Sequence, residues 1–215
     1  GNDKCEIDVV AGDQLLELGM NMIHAVGRCA KNQARCVVVK YRGDPSSEGF
    51  ETALVGKGVT YDTGGLNLKG TGNMELMYGD KGGSCAVIGA LKGAMKMNLK
   101  KNIIFSMGFA ENGIGASAYK PSDIIKSMKG LQVEIGNTDA EGRLVMGDVI
   151  TYVQQKYSPK QVVDIATLTG ACMVALGKET AGIFINDDDI LAELKAASKQ
   201  SFEPVWHLPI TDEHK

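Results

Sequence analysis

Histidine is scarce in this sequence: three in 215 residues, His24, His207 and His214, none at ligand spacing from another. That argues against a zinc site built on imidazoles, so a metal bound here would have to be held by oxygen ligands. His207 and His214 fall in the last nine residues, where an exposed surface position is the plain expectation. Cysteine is also sparse and irregular. Cys5, Cys29, Cys36, Cys85 and Cys172 include no C-x-x-C pair, and their odd number argues against a disulfide framework and fits a reducing, cytoplasmic setting. Cys85 and Cys172 lie in apolar helical runs, where packing into a core is expected. A net charge of -3, with no basic cluster, gives no pull toward nucleic acid or an anionic membrane. No apolar run is long enough to span a bilayer. The opening G-N-D-K-C-E-I-D lacks the basic-then-apolar order of a secretory signal.

What is present is ordinary globular material, 44% hydrophobic and 23% charged, enough for one good-sized domain or part of a larger one. No internal repeat or low-complexity tract stands out. The pattern predicts a helix over 13–28, a strand over 35–41, a Gly-, Pro- and Ser-rich loop over 43–49, and a buried strand over 52–59. Beyond it, helical periodicity over 84–97, 144–155 and 190–200 alternates with apolar strands over 102–109, 132–135, 162–166 and 181–185. Buried strands alternating with helices predict an α/β fold with a mixed, mainly parallel sheet flanked by helices. In such sheets sites gather at the carboxyl ends of strands, and each of three acidic segments follows a predicted strand.

The first segment, G-K-G-V-T-Y-D-T-G-G-L-N-L-K over 56–69, carries Lys57, Asp62 and Lys69. A phosphate-loop reading fails, because the required earlier glycine and the Ser or Thr after Lys57 are missing. Gly64-Gly65 could be only a turn with exposed charges around it. Against that, Lys57 interrupts an apolar strand, and a buried lysine needs a partner or a lowered proton affinity. The second segment, M-Y-G-D-K-G-G over 77–83, places Asp80 just before a helix, where taken alone it reads as a cap. The third, N-T-D-A-E-G-R over 137–143, spaces Asp139 and Glu141 two apart, so that in an extended loop both point one way and could share metal ions. Arg143 beside them is suited to an oxyanion. A helix N-terminus stocked with acids is the alternative for this segment.

Together the three segments resemble the leucyl aminopeptidase (cytosol aminopeptidase) family, two-metal exopeptidases of the cytosol, and N-T-D-A-E-G-R matches the family signature unbroken. The resemblance runs from about Leu18 to the C-terminus and includes A-T-L-T-G over 166–170. It implies a single catalytic domain of which residues 1–215 are part, with a family N-terminal domain before Gly1 and more of the catalytic domain after Lys215. By position, it implies that Lys57, Asp62, Asp80 and Glu141 hold a tighter metal, and Asp62, Asp139 and Glu141 a more exchangeable one. Zinc is the expected ion, with manganese, cobalt or magnesium as alternatives at the exchangeable site. Lys69 and Arg143 are implied as the catalytic side chains, Lys69 at the substrate carbonyl and Arg143 holding a bicarbonate that shuttles protons. Met77, Thr167 and Leu168 are implied as the wall of the substrate pocket.

The implied substrates are peptides with a free N-terminus, such as those beginning in leucine, and the implied assembly is a homo-hexamer. The physics fits these roles. Two divalent ions need several carboxylates, a lysine coordinates only after losing its proton, and a charged Lys69 would stabilise an oxyanion. The sequence departs from the family at Tyr61, where phenylalanine is usual, at Lys81, where an apolar residue is common, and after A-E-N at 110–112, where Pro-Ser-Gly is expected. Two other readings remain: a catalytically inactive relative serving as a structural or binding subunit of a hexamer, and a carboxylate two-metal phosphoesterase. Intact ligand positions argue against the first, and a lysine ligand without histidines argues against the second.

Overall fold

The computed structural model describes residues 3–211, which fall into two compact units divided between Thr167 and Leu168. The first unit contains β1 (Cys5–Ala11), α1 (Asp13–Glu17), α2 (Asn21–Gly27), β2 (Arg35–Arg42), β3 (Thr52–Asp62), α3 (Gly82–Lys96), β4 (Asn102–Asn112), β5 (Ile124–Lys126), β6 (Gln132–Glu134), α4 (Glu141–Tyr157) and β7 (Gln161–Ile165). The second contains α5 (Ala171–Leu176), β8 (Ala181–Ile183), α6 (Asp188–Ser201) and β9 (Val205–His207). No helix among the described residues is long and apolar enough to cross a membrane.

The central sheet runs β1-β2-β4-β3-β7. It is mixed: β4, β3 and β7 are parallel, while β1 and β2 run antiparallel along the other side. Strands β3 and β4 are buried along most of their length because helices cover both faces. Successive side chains point to opposite faces, so Val38, Val55 and Ile104 pack with Ile23 and Val26 of α2 and with Val145 and Val149 of α4. Their neighbours Val39 and Phe105 pack with Val87 and Ala94 of α3 on the other face. The carboxyl ends of β3 and β4 meet at one edge, where Asp62 is in register with Asn112.

The structure adds to the sequence reading in several places. The helix expected over 13–28 is two helices, broken at Gly19, which takes a φ of 74°. The second of them, α2, starts against α4: the Met22 and Ile23 amides donate to Asp148 Oδ2 at 2.7 and 3.2 Å, and Met128 N donates to Oδ1 at 2.9 Å. Strand β1 is not foreshadowed by the apolar pattern, and β6 pairs with an unexpected β5 in a two-stranded sheet. Cys85 lies exposed on α3 rather than in the core, and Cys172 is only half-buried, whereas Cys36 is fully buried. In the second unit β8 pairs in parallel with β9, and Asp187 caps α6 by accepting from the Asp189 and Ile190 amides. His207 ends β9 half-buried rather than exposed, and His214 lies outside the described residues.

Candidate metal centre

Lys57 sits inside β3 between the buried residues Val55 and Val59, and is itself only 2% exposed. Burying an ammonium is costly unless it is paired, and here every donor has a partner. Its Nζ lies 2.8 and 2.7 Å from Asp80 Oδ1 and Oδ2, 2.8 Å from Glu141 Oε1, and donates to the Thr167 carbonyl at 2.9 Å. Asp80 is not a helix cap. The N-cap of α3 is Lys81, with no side-chain cap bond, while the Asp80 carboxylate turns inward and also accepts from Thr167 Oγ1 at 2.8 Å.

Asp62 ends β3 after a register irregularity in which three steps along β3 match two along β4. Such a bulge re-aims the side chain that follows it. Asp62 Oδ1 accepts from Gly64 N at 2.9 Å and Asn112 Nδ2 at 2.8 Å, and Oδ2 lies 2.9 Å from Lys69 Nζ. Lys69 also reaches Asp139 Oδ1 at 2.6 Å. Asp139 sits in a short turn that Asn137 caps, accepting from Asp139 N at 2.8 Å. Glu141 opens α4, but its carboxylate faces Lys57 instead of solvent, so neither acid of this segment is there only to suit the helix dipole.

Asp62, Asp139 and Glu141 each offer an oxygen within 4.8 Å of the others, the spacing a single cation requires. Glu141 Oε2 is buried with no hydrogen-bond partner, an uncompensated acceptor that a cation would satisfy. Asp80 Oδ2 and Asp139 Oδ1 likewise make no directional hydrogen bond, although each faces a lysine ammonium. Burial pushes the Glu141 carboxyl up to about 7, with Lys57 opposing and the Asp62 and Asp80 charges adding to the rise. For Lys69 burial acts to release the proton, but Asp139 and Asp62 outweigh it and hold its pKa above the ordinary lysine value. Four acids facing two lysines leave an excess of negative charge, and hard oxygen donors in that excess suit divalent ions.

The other residues singled out in the sequence are placed less centrally. Arg143 is exposed on the first turn of α4 and makes no hydrogen bond or ion pair among the described residues. Met77 is half-buried in the turn before Asp80. Thr167 touches the centre through its hydroxyl and carbonyl, and Leu168 is exposed in the second unit. The Tyr61 hydroxyl donates to the Met74 carbonyl at 3.1 Å, which ties down the loop between β3 and α3. The segment after A-E-N is held by Arg28, whose guanidinium donates to the Ser117 and Ala118 carbonyls. A cavity of about 540 Å³ lined by Asn32, Arg35, Thr60, Tyr61 and Glu111, among others, is not lined by Asp62, Asp80, Asp139 or Glu141.

Sequence reasoning missed a layer of neutral polar residues behind the acids. Thr138 Oγ1 donates to the Gly64 carbonyl at 2.6 Å and accepts from Asn67 N at 2.8 Å, while Thr138 N donates to Asn67 Oδ1 at 2.8 Å. The Thr138 carbonyl accepts from Asn112 Nδ2 at 3.0 Å and from the Tyr119 hydroxyl at 2.6 Å. Burial, and then the charges of Glu141, Asp62 and Asp139, raise the Tyr119 pKa, so the hydroxyl keeps its proton as a donor. The available signals were Asn112 in A-E-N and Thr138 inside N-T-D-A-E-G-R.

Residues 1–215 match the catalytic domain of the cytosol aminopeptidase family. A probable cytosol aminopeptidase of Stenotrophomonas maltophilia is 45% identical over 214 residues, which is 100% of this chain and 43% of that protein. Among solved structures, a leucyl aminopeptidase from Trypanosoma brucei in complex with actinonin superposes with a TM-score of 0.93 at 37% identity, covering 98% of this chain and 41% of the other. A leucine aminopeptidase from Caenorhabditis elegans gives a TM-score of 0.92 at 35% identity, covering 96% and 42%. The chain thus spans less than half the length of these relatives. With three acidic segments converging at one sheet edge and a family match over residues 1–215, the chain belongs to the cytosol aminopeptidase family.

Proposed function

We propose that this chain, as part of a single catalytic domain, carries the centre of a two-metal aminopeptidase that releases N-terminal residues such as leucine from peptides. The observation that carries this reading is the buried, partnerless Glu141 Oε2 beside Asp62 and Asp139 oxygens that converge within 4.8 Å. Lys57, Asp62, Asp80 and Glu141 would hold the tighter ion, and Asp62, Asp139 and Glu141 the more exchangeable one. Zinc is the proposed ion, with manganese, cobalt or magnesium as alternatives at the second place. When bound, the ions would supply Lewis acidity and a water activated at neutral pH.

The chain's own residues do the rest. Lys57 joins the ligands only as the free amine, so its proton must leave when a cation enters. Lys69, charged and drawn away from Asp62 and Asp139, stabilises negative charge growing on the substrate carbonyl oxygen. Arg143, exposed and without a partner among the described residues, is free to hold a bicarbonate that passes protons. Met77, Thr167 and Leu168 are proposed to wall the pocket for the N-terminal side chain. A homo-hexamer in the cytoplasm is the proposed form, supported by the family. The test is hydrolysis of leucine p-nitroanilide by the full chain before and after chelator dialysis, with p-nitrophenyl phosphate alongside. Activity is expected to vanish on chelation and return with zinc or manganese, with no phosphate release. Peptidase activity indifferent to chelation, or cleavage of the phosphate ester in its place, would overturn the proposal.

A further inference from the structure

We infer that Asn112 is a positioning residue for the metal centre: its side-chain amide locks the Asp62 carboxylate so that only Oδ2 is offered to a cation, and couples it to the peptide carrying Asp139. The inference rests on the metal-centre reading above and adds a residue to it. Asn112 is fully buried at the carboxyl end of β4, in register with Asp62. Its NH2 group spends both hydrogens on parts of the centre, one on Asp62 Oδ1 at 2.8 Å and one on the Thr138 carbonyl at 3.0 Å. Both partners are acceptors, so the amide has only one workable orientation.

That orientation leaves Asn112 Oδ1 buried without a hydrogen-bond partner. An unsatisfied buried acceptor is costly, so the amide is held for the hydrogens it donates. Asp62 Oδ1 also receives the Gly64 amide at 2.9 Å, and with two donors on that oxygen its lone pairs are engaged. Oδ2 remains, the oxygen that now faces Lys69. A cation held by Asp62 would therefore meet Oδ2. The Thr138 carbonyl belongs to the peptide joining Thr138 to Asp139, so the same amide also sets the distance between the β3 end and the turn leading to Glu141. Ions placed by Asp62, Asp139 and Glu141 depend on this link from two sides. Those placed by Lys57 and Asp80 depend on it less, because neither residue bonds to Asn112.

The test strips the full chain of metal and titrates it with Co2+, reading stoichiometry, affinity and visible d–d absorption. In Asn112→Ala the second cobalt is expected to bind about 10–100-fold more weakly, the range for losing a partner that orients a ligand. Its absorption should change while the first ion holds to within a few-fold. Asn112→Leu, which keeps the buried volume, should behave the same way and covers the case in which the alanine variant does not fold. The control is Asn102→Ala, at the other end of β4, where the buried side chain accepts from Asp44 N and donates to the Ser47 carbonyl. It should lower the denaturation midpoint and leave both cobalt affinities and the spectrum as in the parent. Unchanged second-ion affinity and absorption in the Asn112 variants, with two ions in the parent, would overturn this inference alone, as would an equal loss in Asn102→Ala. A parent that takes up no cobalt would overturn the metal reading and this inference with it.

Discussion

Lys57 and Lys69 carry equal charge but are held very differently. Lys57 is enclosed by β3, Asp80, Glu141 and the Thr167 carbonyl, whereas Lys69 stands on a loop, its side chain 14% exposed, between Asp62 and Asp139. A cation entering among Asp62, Asp139 and Glu141 competes with the Lys69 ammonium for the same oxygens, and the lysine can yield because its backbone is not in the sheet. Lys69→Ala is therefore expected to leave metal content nearly intact while lowering turnover of leucine p-nitroanilide by ~10²–10³-fold, the loss typical of one oxyanion donor. Metal analysis and kinetics on the same preparation check it, and parent-level turnover in the variant would refute the role. The sequence made these charged residues legible because a lysine inside an apolar strand and acids at strand ends break the local pattern. Asn67, Asn112, Thr138 and Tyr119 break none, since amides and hydroxyls are common in turns for purely local reasons. Only the fold reveals that Asn112 and Tyr119 meet at the Thr138 carbonyl, while Asn67 holds the Thr138 amide.

At the scale of elements, the centre depends on α3 lying flush against the sheet. A Cβ added to Gly83 would fall 1.9 Å from the Ile165 carbonyl oxygen and 2.9 Å from Lys57 N, both backbone atoms that cannot swing away. Gly83→Ala is expected to cost at least ~2 kcal/mol, as overpacking against a rigid neighbour does, and to push the Asp80 end of α3 off β3. Gly89, also in α3, faces open space: a Cβ added there would meet nothing within 4 Å, so Gly89→Ala should be neutral or stabilise by ~0.5–1 kcal/mol. Urea denaturation of the two variants beside the parent measures this contrast, and equal midpoints would contradict it. Apolar periodicity revealed β2, β3, β4, α3, α4 and α6 to within a few residues, because each buries one continuous face or run. It missed β1, an edge strand with no fully buried residue, and the separate start of α2, which rests on Asp148 more than a hundred residues away. Long-range partners of that kind leave no local trace in a sequence.

At the scale of the whole molecule, the first unit gathers the centre at one end of its mixed sheet: β3 carries Lys57 and Asp62, the turn before α3 carries Asp80, and α4 opens on Glu141. The relatives it matches are more than twice its length, so assembly and substrate choice are properties of the complete protein. The claim that this edge holds two ions can be tested without reference to activity. Crystals of the full chain grown with zinc, with anomalous scattering recorded at the zinc edge, would locate each ion directly. The account predicts two peaks, one within reach of Lys57, Asp62, Asp80 and Glu141 and one among Asp62, Asp139 and Glu141, with Lys69 drawn away from Asp62 and Asp139. An empty cluster with Lys69 still lodged between those two carboxylates, or zinc found only elsewhere on the chain, would contradict it.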